Sequence, residues 1–146
     1  MGQGKNQSFL LLLSVCPQLT PWDKVTAFHL DEYCGMADDH PASFRGYLNQ
    51  RLFSKVDPPM AAVHLMPAES PTAAMDYQTL LLEGDIDLAC IGVGENGHIA
   101  FNDPPVCEFN DAVMVKEVEL DAGCKAQQVG EGWFPTPEDV PNALTL

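Results

Sequence analysis

The stretch Ile86-Asp-Leu-Ala-Cys-Ile-Gly-Val-Gly-Glu-Asn-Gly97 decides which fold the sequence predicts. Its first part, Ile86 to Val93, is mostly apolar and lacks strict alternation, which is typical of a strand buried on both faces of a sheet. A glycine-rich turn follows at once, where the backbone can bend sharply or approach a ligand closely. We therefore predict a central strand that ends directly in a tight turn.

Strand and helix patterns alternate on both sides of this stretch. The predicted strands are Val25–Leu30, Ala61–Leu65 and Val113–Val118, and the predicted helices run from about Ser43 to Val56, from Ser70-Pro71 to Gly84, and for a short distance from Asp121, before a final apolar stub at Ala143–Leu146. Such alternation predicts an α/β fold with three layers, in which a mostly parallel, doubly wound (Rossmann-like) sheet carries helices on both faces.

We expect the domain to be partial and incomplete at both ends. It occupies residues 25–146, and an atypical N-terminal segment, residues 1–24, precedes it with an apolar helix at residues 8–16. The longest apolar run, Phe9 to Val15, is far shorter than the ~20 residues that a membrane span requires. The sequence therefore predicts no membrane partner.

Acidic residues dominate the charge of the chain. Asp and Glu number 21 against 7 Lys and Arg, for a formal net charge of -14. No basic patch is available for a nucleic-acid backbone, so DNA and RNA are not expected as partners. The same acidity opposes an anionic small molecule unless a local group of N–H donors or basic side chains receives it.

The cysteines and histidines indicate neither disulfides nor a metal site. Five cysteines are widely spaced and form no C-x-x-C pair, which is typical of reduced thiols in a reducing compartment such as the cytoplasm. The four histidines show no zinc-ligand spacing. We predict neither a metal nor an organic cofactor.

The turn at Gly92–Gly97 matches G-x-G-x-x-G, the pattern of a dinucleotide-binding loop. The residues that follow argue against a dinucleotide, because Pro104-Pro105 leaves no room for the long helix that would hold a pyrophosphate, and Glu95 would repel it. A loop that presents side chains to a small ligand is the better interpretation.

Two groups of titratable residues lie where predicted buried strands give way to polar sequence, the edge at which α/β sheets bind ligands. His98 with Asp103 is a plausible acid/base pair, because a carboxylate can fix the tautomer of a histidine. Asp31-Glu32 is the second group, where burial and mutual repulsion can raise one pKa. For this second group a solvated acidic loop remains the open alternative.

The segments Phe28-His-Leu-Asp-Glu-Tyr-Cys-Gly35 and Gly92-Val-Gly-Glu-Asn-Gly-His-Ile-Ala-Phe-Asn-Asp-Pro104 together resemble the two characteristic segments of the glucosamine-6-phosphate deaminase/isomerase family. The resemblance extends from about Trp22 to Leu146. It implies conversion of glucosamine 6-phosphate and water to fructose 6-phosphate and ammonia, without a metal or organic cofactor, by an enzyme that can be a homo-oligomer.

The resemblance also implies roles for individual residues. Asp31 would move a proton from C2 to C1, and His98 would open the sugar ring, oriented by Asp103 and Asn96. The implied substrate-binding residues are Glu32, Tyr33, Gly94, Gly97, Asn102 and Gln128. The family's best-known members have aspartate at the Asn96 position, glutamate at the Asp103 position and an arginine where Gln128 stands. The chain also lacks the family's Gly/Ser/Thr-rich phosphate loop before Val25.

Two other functions stay open at this point. A catalytically silent domain that binds a sugar phosphate or another subunit would explain the missing phosphate-binding groups. A 6-phosphogluconolactonase-like hydrolase would share the fold, but the order Asp31-Glu32-Tyr33 followed by Gly35 favours the deaminase branch.

Overall fold

The computed structural model describes residues 20–67 and 72–146. The helix expected at residues 8–16 lies outside them, and the division at residue 24 stays a prediction. The strands are β1 (Thr26–Phe28), β2 (Asp31–Tyr33), β3 (Ala62–His64), β4 (Lys116–Val118) and β5 (Ala143–Thr145), and the α-helices are α1 (Phe44–Leu48), α2 (Ala73–Leu81) and α3 (Ala122–Gly130). Short 3-10 turns occur at Trp22–Lys24 and Pro137–Asp139.

Strands β1 and β3 form a parallel pair, in which Thr26 lies opposite Ala62 and Phe28 opposite His64. Both strands were predicted, and α1 lies between them in the chain, as a parallel connection requires. The Tyr77 hydroxyl of α2 lies 2.9 Å from the carbonyl oxygens of His29 and of His64 and accepts a hydrogen bond from His29 N, so it ties the helix to the ends of both strands. This unit confirms the predicted α/β class.

A second sheet has the order β2-β5-β4 and is antiparallel throughout. The alternative of a solvated acidic loop at Asp31-Glu32 is therefore wrong, because these residues form β2 and pair with Thr145 and Leu144. The final apolar stub supplies the middle strand β5, whose three residues are all buried. Its sequence could not show which strands it would join, because strand pairing is a long-range property.

The central strand predicted at Ile86 to Val93 does not form. Among the described residues this stretch makes only an isolated antiparallel bridge between Val93 and Ile99. Its apolar side chains are exposed, with Leu88 at 75% and Val93 at 66% of full accessibility. A buried strand needs hydrogen-bonded neighbours, and no other part of the described chain pairs with residues 86–92.

Local signals in the sequence explain the helices. The Ser43 side chain accepts a hydrogen bond from Gly46 N and begins α1, which continues as a π-helical turn over Asn49–Phe53 and so nearly reaches the predicted end. Asp121 caps α3 in the same way through Cys124 N. No helix in residues 20–67 and 72–146 is both long and apolar enough to cross a membrane.

The largest hydrophobic cluster lies where β2, β4 and β5 meet α3. Its members include Tyr33, Phe101, Val118, Cys124 and Ala143, all nearly or completely buried. Phe101 belongs to the loop that carries the candidate site. The loop is thereby anchored in the core a few residues from its polar side chains.

Candidate active site

The glycine-rich loop folds into a tight turn that is closed by its own backbone. Gly94 N donates to the His98 carbonyl at 2.9 Å, and Gly97 N donates to the Gly94 carbonyl at 3.0 Å. Gly97 adopts a positive φ of 90°, a conformation that side-chain-bearing residues rarely take. The turn projects Asn96 and His98 from one side of the loop.

The His98 imidazole faces two oxygen acceptors through the same ring nitrogen. His98 Nδ1 lies 2.5 Å from Asn96 Oδ1 and 2.9 Å from Asp103 Oδ1. Neither oxygen has a proton to give when Asp103 is ionised, so the neutral ring carries its proton on Nδ1. Nε2 then keeps an unshared electron pair, and a side chain that is 14% exposed can offer it to a ligand.

Asp103 is completely buried and accepts hydrogen bonds from several directions. Its Oδ1 accepts from Asn96 Nδ2 at 3.0 Å, and its Oδ2 accepts from Asp121 N at 3.1 Å, at the start of α3. These bonds fix the carboxylate and therefore the ring plane of His98. Asn96 contributes twice, because its amide bonds both the histidine and the aspartate.

Gly94 approaches the ring so closely that no side chain would fit. A Cβ atom at this position would lie 2.2 Å from His98 Cε1 and 2.3 Å from Nε2. Backbone strain is found nearby, since Ala100 has a φ of 52°, the only positive value among the described non-glycine residues. Such a conformation costs on the order of 1 kcal/mol and persists only where the surroundings impose it.

Asp31 reaches the same region through β5. It pairs with Thr145, whose Oγ1 accepts a hydrogen bond from Phe101 N at 3.1 Å, two residues before Asp103. Burial, followed by the negative charge of Glu32, raises the pKa of Asp31 from its ordinary 3.8 to about 7. A carboxyl group with such a pKa can both take and return a proton near neutral pH.

The Glu32 carboxylate is bound within the fold and does not face an open site. Its buried carboxylate accepts hydrogen bonds from Tyr33 N at 2.9 Å, from the Ser43 hydroxyl at 3.1 Å, and from Phe44 N and Arg45 N at the start of α1. The expected contact with substrate finds no support here, because these donors already occupy the oxygens. Glu32 instead joins β2 to α1.

Tyr33 is also fully buried, in contact with the rings of Phe44, Phe101 and Phe134 at centroid distances of 5.0 to 5.5 Å. It lies in the core beneath the site, so a substrate contact through its side chain is not supported either.

Of the remaining predicted substrate-binding residues, one is held by a hydrogen bond within the fold and, in the part of the chain that the structure describes, another has no contact with the histidine or the aspartate. Asn102 Nδ2 donates to the Leu146 carbonyl at 2.5 Å and holds the loop against the end of β5. Gln128 lies partly buried on α3, and no contact joins its side chain to His98 or Asp103 within the described residues. The roles of Gln128, Gly94 and Gly97 toward a substrate stay predictions.

Two residues of this region were missed at the sequence level. Cys124, buried on α3, lies beside Asp103, and Thr145 links Asp31 to the loop. An isolated cysteine in a helix and a threonine near the end of the sequence carry no local signal of such positions. Only the pairing of β2 with β5 and the packing of α3 bring them to the site.

Comparison with solved structures defines the class of fold. A monomeric glucosamine-6-phosphate deaminase superimposes with a TM-score of 0.79 at 29% identity, over 96% of this chain and 58% of that one. The 6-phosphogluconolactonase of Thermotoga maritima superimposes with a TM-score of 0.67 at 23% identity, over 94% of this chain and 57% of that one. The second likeness concerns the fold alone.

Sequence comparison gives the family. Residues 4–116 match the family described as glucosamine-6-phosphate isomerases/6-phosphogluconolactonase, and the chain belongs to it. The glucosamine-6-phosphate deaminase of Rhodopirellula baltica is 38% identical over 130 residues, which are 86% of this chain and 50% of the relative. That of Geobacillus sp. is 36% identical over 132 residues, 87% of this chain and 51% of the relative. The chain thus spans about half the length of the curated relatives it matches.

Proposed function

We propose that this chain carries the proton-transfer residues of an amino-sugar phosphate deaminase/isomerase, which converts glucosamine 6-phosphate and water to fructose 6-phosphate and ammonia. One observation supports this most strongly: Asn96 and Asp103 hold Nδ1 of His98 on a loop that Thr145 connects to Asp31, a carboxyl group whose pKa is raised to about 7. The reaction needs both groups, one for ring opening and one for proton transfer between carbon atoms.

His98 opens the pyranose ring. Its unprotonated Nε2 takes the proton of the C1 hydroxyl while the C1–O5 bond breaks and C1 becomes a carbonyl, and the imidazolium then returns a proton to O5. The exchange places a positive charge on the ring. Asp103, with Oδ1 2.9 Å from Nδ1, stabilises it at that moment, whereas Asn96 orients the ring without adding charge.

Asp31 moves the proton between the two carbons. As the base it takes the proton from C2 of the open-chain sugar while the C1 carbonyl oxygen takes up a proton from solvent, which gives an enolamine. As the acid it returns the C2 proton to C1 while the nitrogen lone pair forms a C2=N bond, and water hydrolyses the resulting iminium to the ketone with release of ammonia as ammonium. A pKa of about 7 suits a group that must act in both directions.

Ammonia release from glucosamine 6-phosphate by the 146-residue chain tests the proposal, with Asp31→Asn and His98→Gln beside the unchanged chain. Asp39→Asn is a matched control, since Asp39 is exposed. We expect both site variants to lose activity by a factor of about 100 or more, as removal of an acid/base residue typically does, and the control to keep it. A folded chain that releases no ammonia would contradict the proposal that this segment is an enzyme.

A catalytically silent binding domain is the second candidate, and the charges favour it. Three of the basic side chains in the described ranges already form ion pairs away from His98: Arg45 with Asp38, Lys116 with Asp111 and Lys125 with Glu119. With Gln128 where a phosphate-binding arginine is expected, the substrate phosphate has few cations to meet. Calorimetric titration with fructose 6-phosphate measures binding without turnover, and binding by a folded chain that releases no ammonia from glucosamine 6-phosphate would identify the silent domain. A 6-phosphogluconolactonase-like hydrolase is a further alternative, tested by lactone hydrolysis without ammonia.

The proposed setting follows from the same chemistry. A hydrolase that releases ammonia from an amino-sugar phosphate serves the breakdown of N-acetylglucosamine, in a reducing compartment such as the cytoplasm. The four cysteines in residues 20–67 and 72–146 are free thiols, which supports such a compartment: Cys34, Cys90, Cys107 and Cys124. A homo-oligomer is proposed from the family resemblance alone.

A further inference from the structure

Three side chains of different chemistry converge beside the glycine-rich loop. His98 comes from the loop, Asp103 from its end and Cys124 from α3, and one ligand atom of each lies within 4.8 Å of the others. Nitrogen, oxygen and sulfur donors in one group suit a divalent cation of intermediate softness such as Zn²⁺ or Co²⁺, whereas Mg²⁺ and Ca²⁺ prefer oxygen alone. We propose that these three residues bind such a cation.

The distances are close to those that a tetrahedral ion requires. Zinc bonds of about 2.0 to 2.3 Å place neighbouring ligand atoms roughly 3.3 to 3.8 Å apart. His98 Nδ1 and Asp103 Oδ1 are now 2.9 Å apart, and the widest separation in the group is within 4.8 Å. Small side-chain rotations therefore move His98 Nδ1 away from Asp103 Oδ1 and bring Cys124 Sγ closer to both atoms, without a change of backbone.

Neighbouring groups already support the three ligands. Asn96 Nδ2 and Asp121 N donate to the two carboxylate oxygens of Asp103, and Cys124 N donates to Asp121 Oδ1 at 2.6 Å. Outer contacts of this kind hold ligands in place and strengthen metal binding. One ligand, His98, is partly exposed and offers an entry path from solvent.

The local charge also favours a cation. Asp103 and Asp121 are bridged by the Asn96 amide, at 3.0 and 3.5 Å, and no lysine or arginine contacts either carboxylate within residues 20–67 and 72–146. Binding replaces the thiol proton of Cys124, which leaves to solvent.

The cation would act as an inhibitor of the proposed reaction. An ion on Nδ1 moves the ring proton to Nε2, the atom that must be unprotonated for ring opening. This consequence rests on the proposed function, whereas the binding site itself rests only on the geometry. The two are tested by separate measurements.

Cobalt titration of the 146-residue chain tests the site, because thiolate bound to Co²⁺ gives a charge-transfer absorption. We expect this absorption to saturate at one equivalent and to be displaced by Zn²⁺. Cys124→Ser should abolish it, whereas the double variant Cys90→Ser, Cys107→Ser, which removes two exposed thiols, should keep it. His98→Gln should weaken binding by more than about 10- to 100-fold, because the loss of an outer partner of a ligand alone typically costs that much and His98 is a ligand itself.

Saturable thiolate absorption that survives in folded Cys124→Ser, or no absorption in the unchanged chain, would overturn the site. If Cys124→Ser does not fold, His98→Gln becomes the deciding variant, because the His98 side chain is partly exposed. An unchanged affinity for Co²⁺ in that variant would also overturn the site. Ammonia release with and without Zn²⁺ then tests inhibition. Absence of ammonia release would refute the enzyme and leave the cobalt result standing.

Discussion

Replacement of Asp31 by asparagine should make the chain more stable while it removes the proposed proton-transfer group. In the folded chain the pKa of Asp31 is raised from 3.8 to about 7, first by burial and second by the charge of Glu32. In the unfolded chain the carboxyl ionises near its ordinary value. Between these two pKa values the folded state holds a proton that the unfolded state has lost, so stability falls as pH rises from about 4 to 7 and stays low above 7.

The magnitude follows from the shift. About three pKa units at 1.36 kcal/mol each give an upper limit of about 4 kcal/mol. Asp31 is partly exposed, so solvent screening lowers the expected value to about 2 to 3 kcal/mol. Asparagine has nearly the same shape and no charge, so it avoids this cost at every pH.

Urea unfolding of both chains at pH 4, 6 and 8 measures the effect. We expect nearly equal free energies of unfolding at pH 4 and a growing advantage of Asp31→Asn, reaching about 2 to 3 kcal/mol at pH 8. Asp39→Asn, at an exposed position, should change little at any pH. If Asp31→Asn is less stable than the unchanged chain at pH 8, or if the difference does not depend on pH, burial does not destabilise the ionised form of Asp31.

Three further results are expected. Burial lowers the pKa of His29 from 6.5 to about 4, so the contribution of His29 to stability should fall by up to about 3 kcal/mol as pH drops from 6.5 to 4, opposite in sign to the contribution of Asp31; the difference in the free energy of unfolding by urea between the unchanged chain and His29→Leu should change by that amount over this pH range. Gly94→Ala should displace the His98 ring and lower ammonia release by about 100-fold while the chain stays folded, and Gly84→Ala, which meets no atom within 4 Å, should be nearly silent in the same assay. Glu32→Gln turns an amide toward three N–H donors and should cost about 3 kcal/mol in the free energy of unfolding; a loss below about 1 kcal/mol would contradict its structural role.

The elements that the sequence predicted well are those whose signals are local. Ser43 and Asp121 cap the helices that they were expected to begin, and the apolar runs at 25–30 and 61–65 contain β1 and β3. Capping and short apolar runs depend on neighbours in the chain, so they can be read from it directly. The same holds for His98 and Asp103, which share one loop.

The predictions that were wrong concern segments whose structure depends on residues distant in the chain. The run at Ile86–Val93 has the composition of a buried strand, yet burial needs partners that no described residue supplies. Asp31-Glu32 has the composition of a solvated acidic loop, yet β5 provides hydrogen-bond partners that make it a strand, in which Glu32 is buried. Composition indicates which secondary structures a segment can adopt, and pairing with other strands decides which of them it adopts.

The sequence by itself determined the family, the α/β class, and the presence of a histidine and two carboxylates in segments suited to proton transfer. Only the tertiary structure decided that Nδ1 of His98 is held between Asn96 and Asp103, that Thr145 connects Asp31 to their loop, and that Cys124 lies beside them. The physical reason is the range of the interactions. A motif fixes residues that are close in the chain, whereas tautomers, raised pKa values and mixed donor sets arise where distant segments pack together and exclude water.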